Sequence, residues 1–240
     1  MANAVIAPHA GWFYSGRIAA KALSSLDSQA QTIVVIGGHL PSGMAPLFAL
    51  EDEIETPMGS MPVDAELRDL LIQSLAGRED RYRDNTVEVF LPMVHYFFPK
   101  ASIVWVRFPA EISSFNGGAL IAKNAQKLKR TVCLIGSTDL THYGDNYSFN
   151  PKGRGKEALK WVTEVNDAGF IQAVLDAKPE KVLERAVKDS SCCSPGAVLG
   201  AMGFASVFGK QARLLEYGTS AARDEVCPDS FVGYAAIAFD

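Results

Sequence analysis

Runs of apolar, largely β-branched residues recur along the chain, and stretches with helical spacing lie between them. AVIAP predicts a first strand, and Ser15 to Leu26 a helix. TIVVIG is apolar throughout, the pattern of a strand covered on both faces in a parallel sheet. PLFALE predicts a further strand. TPMGSMPVD reads as a proline- and glycine-rich turn, with Asp64 as N-cap of the helix DAELRDLLIQSLA. TVEVFLPMVHYFF is open between two readings: its β-branched start favours a strand, its length a helix broken near Pro92. SIVWVRF is a strand, Ser114 to Leu128 a helix, and TVCLIG the next core strand. Lys156 to Asp189 reads as helix with breaks near Asp167 and Pro179, and Pro195 to Phe208 as an apolar helix with proline in its first turn. ARLLEYGTS and FVGYAAIAF are the last strands. The alternation predicts an α/β fold: one domain over residues 1–240, with a mainly parallel central sheet flanked by helices.

The polar residues that end these runs carry the candidate chemistry. Three of the four histidines, His9, His39 and His142, stand just past apolar strands. In an open α/β sheet the carboxyl edge of the strands is where ligands bind. Three imidazoles converging there point to a metal or proton-transfer site. His95, inside LPMVHYFFP, reads as a packed helix residue.

Composition narrows the function. Hydrophobic residues make up 48% of the 240 and charged ones 21%, enough for a sizeable core. The net charge of −4 and the lack of a basic run exclude an electrostatic case for nucleic acid or an anionic membrane. No stretch reaches the ~20 apolar residues of a membrane span, and the first residues lack the pattern of a secretory signal. Four cysteines are too few for a disulfide framework, which fits a cytoplasmic protein with free thiols. Cys133 reads as an inert core residue and Cys227 as a loop residue without chemistry. Cys192 and Cys193, in a polar turn leading into a helix, are candidates for a metal ligand or a reactive thiol. Trp12, Phe13 and Tyr14 read equally as pocket lining or as core packing.

HAGWFYSG from His9, TPMG from Thr56, VEVFLP from Val87, STDLTHYG from Ser137 and the late GYAAIAF occur in an order that resembles the MEMO family. That family is also called AmmeMemoRadiSam system protein B, and the likeness covers nearly the whole chain. Its fold is similar to the class III extradiol dioxygenases, so the resemblance implies an α/β protein with a metal-type crevice. It implies His9 in PHAG and His39 in GGHLP as iron ligands. The third ligand is implied to be a cysteine in a Cys-Gly-x-x-Pro-like turn: Cys192 fits that place, and a shift of one residue selects Cys193. Asp139 and His142 match the Asp and His that face the crevice. Where relatives often carry Glu-His-Ser before the EV-x-LP element, this chain has Asp84, Asn85 and Thr86, so a second-shell histidine is missing.

Two neutral imidazoles and one thiolate leave open positions on a first-row metal. Iron is expected first; copper also suits redox work, and zinc would suit hydrolysis. His142 is then a general acid/base and Asp139 its neighbour, or alternatively an N-cap or Asx-turn residue. Two function classes follow. One is an iron-dependent redox enzyme of unknown substrate. The other is a non-catalytic module holding a metal, a small molecule or a peptide, since a cysteine replaces the carboxylate ligand of ring-cleaving dioxygenases. The resemblance further implies a pathway link to radical-SAM and AMMECR1-like proteins.

Overall fold

Alternating burial sets up the central sheet. In the strand Thr32–Leu40, Val34 and Ile36 face one core and Ile33 and Val35 the other, as the two-residue period of a strand requires. Both faces are therefore covered by helices. The computed structural model describes residues 1–223 and 227–240.

In chain order the strands are β1 (Ala4–Ala7), β2 (Thr32–Leu40), β3 (Leu47–Phe48), β4 (Glu53–Thr56), β5 (Gly59–Pro62), β6 (Arg78–Glu79), β7 (Ser102–Pro109), β8 (Val132–Ser137), β9 (His142–Tyr143), β10 (Ala212–Thr219) and β11 (Phe231–Phe239). The helices are α1 (Trp12–Leu23), α2 (Ala65–Leu75), α3 (Asn85–Glu88), α4 (Leu91–Phe97), α5 (Ser113–Lys127), α6 (Lys156–Trp161), α7 (Ala168–Leu175), α8 (Pro179–Lys188) and α9 (Pro195–Val207).

The main sheet runs β10-β11-β1-β8-β2-β7-β3-β6, with β9 on the end of β11. The four central strands β1, β8, β2 and β7 are parallel. β11 and β3 flank them antiparallel. The expected α/β architecture with a mainly parallel sheet is what the structure has. Register matters for the site: Ala7 pairs with Ser137, and Ile36 with Gly136. The carboxyl ends of β1, β8 and β2 thus finish at one level, and the residues just beyond them share one edge.

Helices α1 and α4 cover one face; α2, α5, α7, α8 and α9 cover the other. α9 is buried from Pro195 to Ala205, which explains its lack of a polar side. It packs against α5 so closely that a Cβ on Gly118 would stand 1.9 Å from the Gly200 carbonyl oxygen. Only glycine permits that approach. Among the described residues no helix is long and apolar enough to cross a membrane.

Four local expectations change. α1 begins at Trp12, not near Ser15, because Gly11 ends the turn and its carbonyl accepts the Tyr14 and Ser15 amides. The TPMGSMPVD segment is part of the β4–β5 hairpin, turning at Pro57 and Met58. Of PLFALE only Leu47 and Phe48 pair as strand. The helix does not break near Asp167: Val162–Asp167 forms a π-helical turn joining α6 to α7, and it buries Asn166 and Asp167. TVEVFLPMVHYFF is helical, split into α3 and α4, with Pro92 in the first turn of α4. Asp64 caps α2 as expected, accepting the Leu67 amide at 3.1 Å.

Candidate metal centre

The ends of β1 and β2 and the turn before α9 bring three donors together. Ring nitrogens of His9 and His39 and the sulfur of Cys193 all lie within 4.8 Å of one another. His9 Nε2 is 3.3 Å from Cys193 Sγ, and the two imidazoles meet edge to face at 5.1 Å between centroids.

Each imidazole is held by its other nitrogen. The buried His9 places Nδ1 2.7 Å from Ser137 Oγ. The Ser137 hydroxyl itself donates to the Thr86 carbonyl, so its oxygen accepts the His9 Nδ1–H. Nε2 is then the nitrogen with a free lone pair, facing Cys193. His39 Nδ1 is 3.0 Å from Asp84 Oδ2, which likewise turns Nε2 toward the cluster. Such outer carboxylate and hydroxyl partners are how metal-binding histidines are oriented.

Behind Asp84 stands a buried ion-pair chain. Arg107 Nη1 lies 3.1 Å from Asp84, and Arg107 Nε lies 2.8 Å from Asp80. Burial disfavours the Asp84 carboxylate's charge, but hydrogen bonds from His39 and Thr86 outweigh it and hold its pKa well below the usual range. The same bond to Asp84, seconded by Cys193, pushes the His39 pKa up to about 9.

The backbone contributes as well. His39 has φ +57°, a left-handed conformation that a non-glycine residue keeps only when its surroundings enforce it. It sits where β2 slips register against β7, between Gly37 and Leu40. A Cβ on Gly38 would stand 2.3 Å from the Ser194 Cβ, so the glycine lets β2 press against the turn that carries Cys193.

That turn decides which thiol joins the cluster. Cys193 Sγ accepts the Asp139 amide at 3.3 Å. Cys192 points the other way, into the core under α9, with its thiol 3.0 Å from Thr138 Oγ1. Burial pushes the Cys192 pKa far up, as an apolar site does to any thiol. The expectation of Cys192 as third donor is therefore corrected to its neighbour. Both sulfurs lie near Thr138 Oγ1, but only that of Cys193 comes within reach of both imidazoles.

Asp139 and His142 line the same crevice as the two histidine donors. Asp139 Oδ1 accepts the His9 amide at 2.8 Å and the Ala10 amide at 3.2 Å, so this buried carboxylate ties β8 to the loop after β1. Its Oδ2 is 3.9 Å from His9 Nε2. His142 is placed by β9 pairing with β11, opposite Val232. Its Nδ1 is 3.2 Å from the Leu140 carbonyl oxygen, to which it donates, leaving Nε2 as proton acceptor. Burial lowers the His142 pKa, with the Asp139 charge opposing.

His9, His39, Asp139 and His142 line one crevice of about 430 Å³, together with Tyr14, Asn85, Asn146, Tyr147, Ser220 and Tyr234. Among the described residues that line it, none is Lys or Arg. Of the aromatic run after His9, Tyr14 lines the crevice, while Trp12 and Phe13 are exposed and not core. Tyr143 packs on Phe231 and Trp161 away from it. His95 anchors the hairpin turn through Thr56 Oγ1 at 2.9 Å. Glu88 lines a separate groove beside Trp105. Cys133 is buried in the sheet, its pKa pushed up to about 11.

The roles of Asp84, Ser137 and Arg107 in holding the histidines escape the sequence reading. Asp84 shows only the signal of a helix cap, which it also is, accepting the Thr86 amide at 2.8 Å. Ser137 sits inside the STDLTHYG motif without a cue to its role.

Comparison with known proteins agrees with this layout. The model of the Memo-like protein family matches residues 1–238. A MEMO1 family protein of Pyrococcus abyssi is 30% identical over 252 residues, covering 98% of this chain and 86% of its own length. One from Methanococcoides burtonii is 30% identical over 240 residues, covering 97% and 84%. The crystal structure of an uncharacterized protein from Escherichia coli K12 superposes with a TM-score of 0.59 at 16% identity, over 98% of this chain and 99% of that one, a likeness of fold. With a family match over almost its full length and the same fold in a solved structure, the chain belongs to the Memo-like protein family.

Proposed function

We propose that the protein is a metal-dependent redox enzyme in which His9, His39 and Cys193 hold a first-row transition metal, with iron the first candidate. One observation carries this reading: two oriented imidazoles and a thiol, all within 4.8 Å, at the carboxyl edge of a parallel sheet. Two nitrogens and one sulfur suit iron, copper or zinc, and three protein donors leave positions open for substrate. When bound, iron or copper would supply one-electron chemistry and polarise a coordinated oxygen.

The chain's own residues supply the rest. His142, with Nε2 available, takes a proton from a ligand in the crevice and returns it. Asp139 fixes the backbone that presents His9 and places negative charge beside His142. Ser137 and Asp84 hold the two imidazoles in the tautomer that ligation needs.

Anaerobic metal analysis of the purified protein beside His9→Ala, Cys193→Ala and Cys192→Ala tests the proposal. Near-stoichiometric iron or copper, lost from the first two variants and kept by the third, is the expected result. No metal above background after anaerobic loading would sink it.

The exposed run Trp12–Tyr14, with Tyr14 lining the crevice, favours a second reading: a metal- or peptide-binding module without turnover. Sustained oxidation of any small substrate, lost in His142→Ala at full metal content, decides against that module.

A further inference from the structure

Cys192 is a sulfur at this edge of the sheet that the proposed centre does not use, and it is the sequence neighbour of the one it does. Both thiols lie against the same hydroxyl: Thr138 Oγ1 is 3.0 Å from Cys192 Sγ and 3.6 Å from Cys193 Sγ. Thr138 donates its own proton to the Asp139 carbonyl at 2.8 Å, so toward Cys192 its oxygen is an acceptor and Cys192 keeps its S–H. Cys193 is different. It is only partly buried, accepts the Asp139 amide, and stands 3.3 Å from His9 Nε2. One sulfur is thus partly exposed at the crevice edge, and its sequence neighbour lies buried beside the same hydroxyl.

We propose that Cys192 and Cys193 are a peroxide-responsive dithiol, whose oxidation to a disulfide between neighbours withdraws the sulfur donor from the His9–His39–Cys193 cluster. Its consequence for metal rests on the reading above; its chemistry does not. Cys193 sulfur attacks a hydroperoxide, the O–O bond breaks, an alcohol or water departs, and Cys193 becomes a sulfenic acid. Cys192 sulfur then attacks that sulfur, the S–O bond breaks, and the hydroxyl leaves as water with the Cys192 proton. Two thiols lose two electrons and two protons to the peroxide. A disulfide between adjacent residues is strained, because its Cα atoms stand only about 3.8 Å apart, and strained disulfides are readily reduced. The modification is therefore reversible by ordinary thiols, whereas a cysteine without a neighbour would go on to the irreversible sulfinic acid.

The test uses the full chain, freed of metal and treated with hydrogen peroxide. Free thiols are blocked with N-ethylmaleimide, and the tryptic peptide Asp189–Lys210, which holds both cysteines, is weighed. The expected peptide has lost two hydrogens and takes up no blocking agent until dithiothreitol is added. In Cys192→Ala, Cys193 is expected to gain two oxygens that dithiothreitol does not remove. If both cysteines of the wild type are still blocked after peroxide, or Cys193 alone is over-oxidised there, the dithiol is refuted.

A second arm uses zinc(II), which has no redox chemistry of its own. Peroxide treatment should abolish zinc binding, and dithiothreitol should restore it. Zinc retained at full stoichiometry by the disulfide form would refute the link to the cluster. Failure of the reduced protein to bind any metal would fall on the metal reading, while the peptide masses still decide the dithiol.

Discussion

The two walls of the crevice are built differently. The donor wall rests on buried groups: Ser137, Thr138 and Asp139 at the end of β8, Thr86 below, and Arg107 behind Asp84. Every polar atom named there has a partner, and the chain of contacts runs from Asp80 through Arg107 and Asp84 to His39. The opposite wall carries Tyr14 and Tyr147, about half exposed, with Asn85 and Asn146 beside them. A buried, hydrogen-bonded wall fixes geometry; an exposed one of hydroxyls and amides adapts to a ligand. The contrast teaches where chemistry is anchored and where recognition is free to vary.

The contrast breaks first at the donors. His9→Ala and Cys193→Ala should lower metal affinity by more than about 100-fold, measured by competition with a chelator. Cys192→Ala should leave it within about threefold and cost instead the stability of a small buried side chain.

Gly38→Ala should come next. Its Cβ would collide with Ser194, so the turn bearing Cys193 must retreat or the protein must lose on the order of 3 kcal/mol. Urea unfolding read beside metal content separates the two outcomes, and no effect on either would show that the donor wall is not tightly packed.

A third prediction probes the brace behind the loop from Asp139 to His142. Buried Asp167 accepts the Thr141 amide at 3.1 Å and the Tyr217 hydroxyl at 2.8 Å. Burial raises its pKa from 3.8 to about 6 against those hydrogen bonds. The folded protein therefore binds this proton more tightly than the unfolded chain, and stability falls as pH rises through that interval. The loss amounts to ~3 kcal/mol, complete above about pH 6. Asp167→Asn should flatten this slope in urea titrations at several pH values; an unchanged slope would assign it to other groups.

Asp84→Asn should weaken metal binding about 10- to 100-fold without emptying the site, because it removes a partner of His39 and no donor. The smallest effect belongs to the other wall. Tyr14→Ala should change stability by less than about 0.5 kcal/mol and leave metal stoichiometry untouched. A metal loss from that variant would erase the distinction between the walls.

Much of this layout is readable from residues alone, for identifiable reasons. Strands covered on both faces leave unbroken apolar runs, so TIVVIG and TVCLIG declare themselves as β2 and β8. A histidine placed one or two residues past such a run must stand at the sheet's carboxyl edge, which is how His9 and His39 come to notice, whereas Asp139 is pointed out by the family resemblance. The hairpin of β4 and β5 is harder: its prolines and glycine read as a turn, and pairing over four residues leaves little periodicity. The π-helical turn at Val162–Asp167 leaves no mark in the pattern either, since the helix continues through it.

What the sequence by itself determined is the alternation of strand and helix, the edge on which the polar residues gather, and the family. Those follow from short-range spacing and from motifs in order. Only the tertiary structure decided that Cys193 and not Cys192 joins the histidines, that Asp84 orients His39 across 45 positions, and that Ser137 sets the tautomer of His9. Each depends on the direction of a single side chain in a turn, or on a contact between distant segments. Local pattern carries no information on either, because packing settles both only when the sheet and its helices close together.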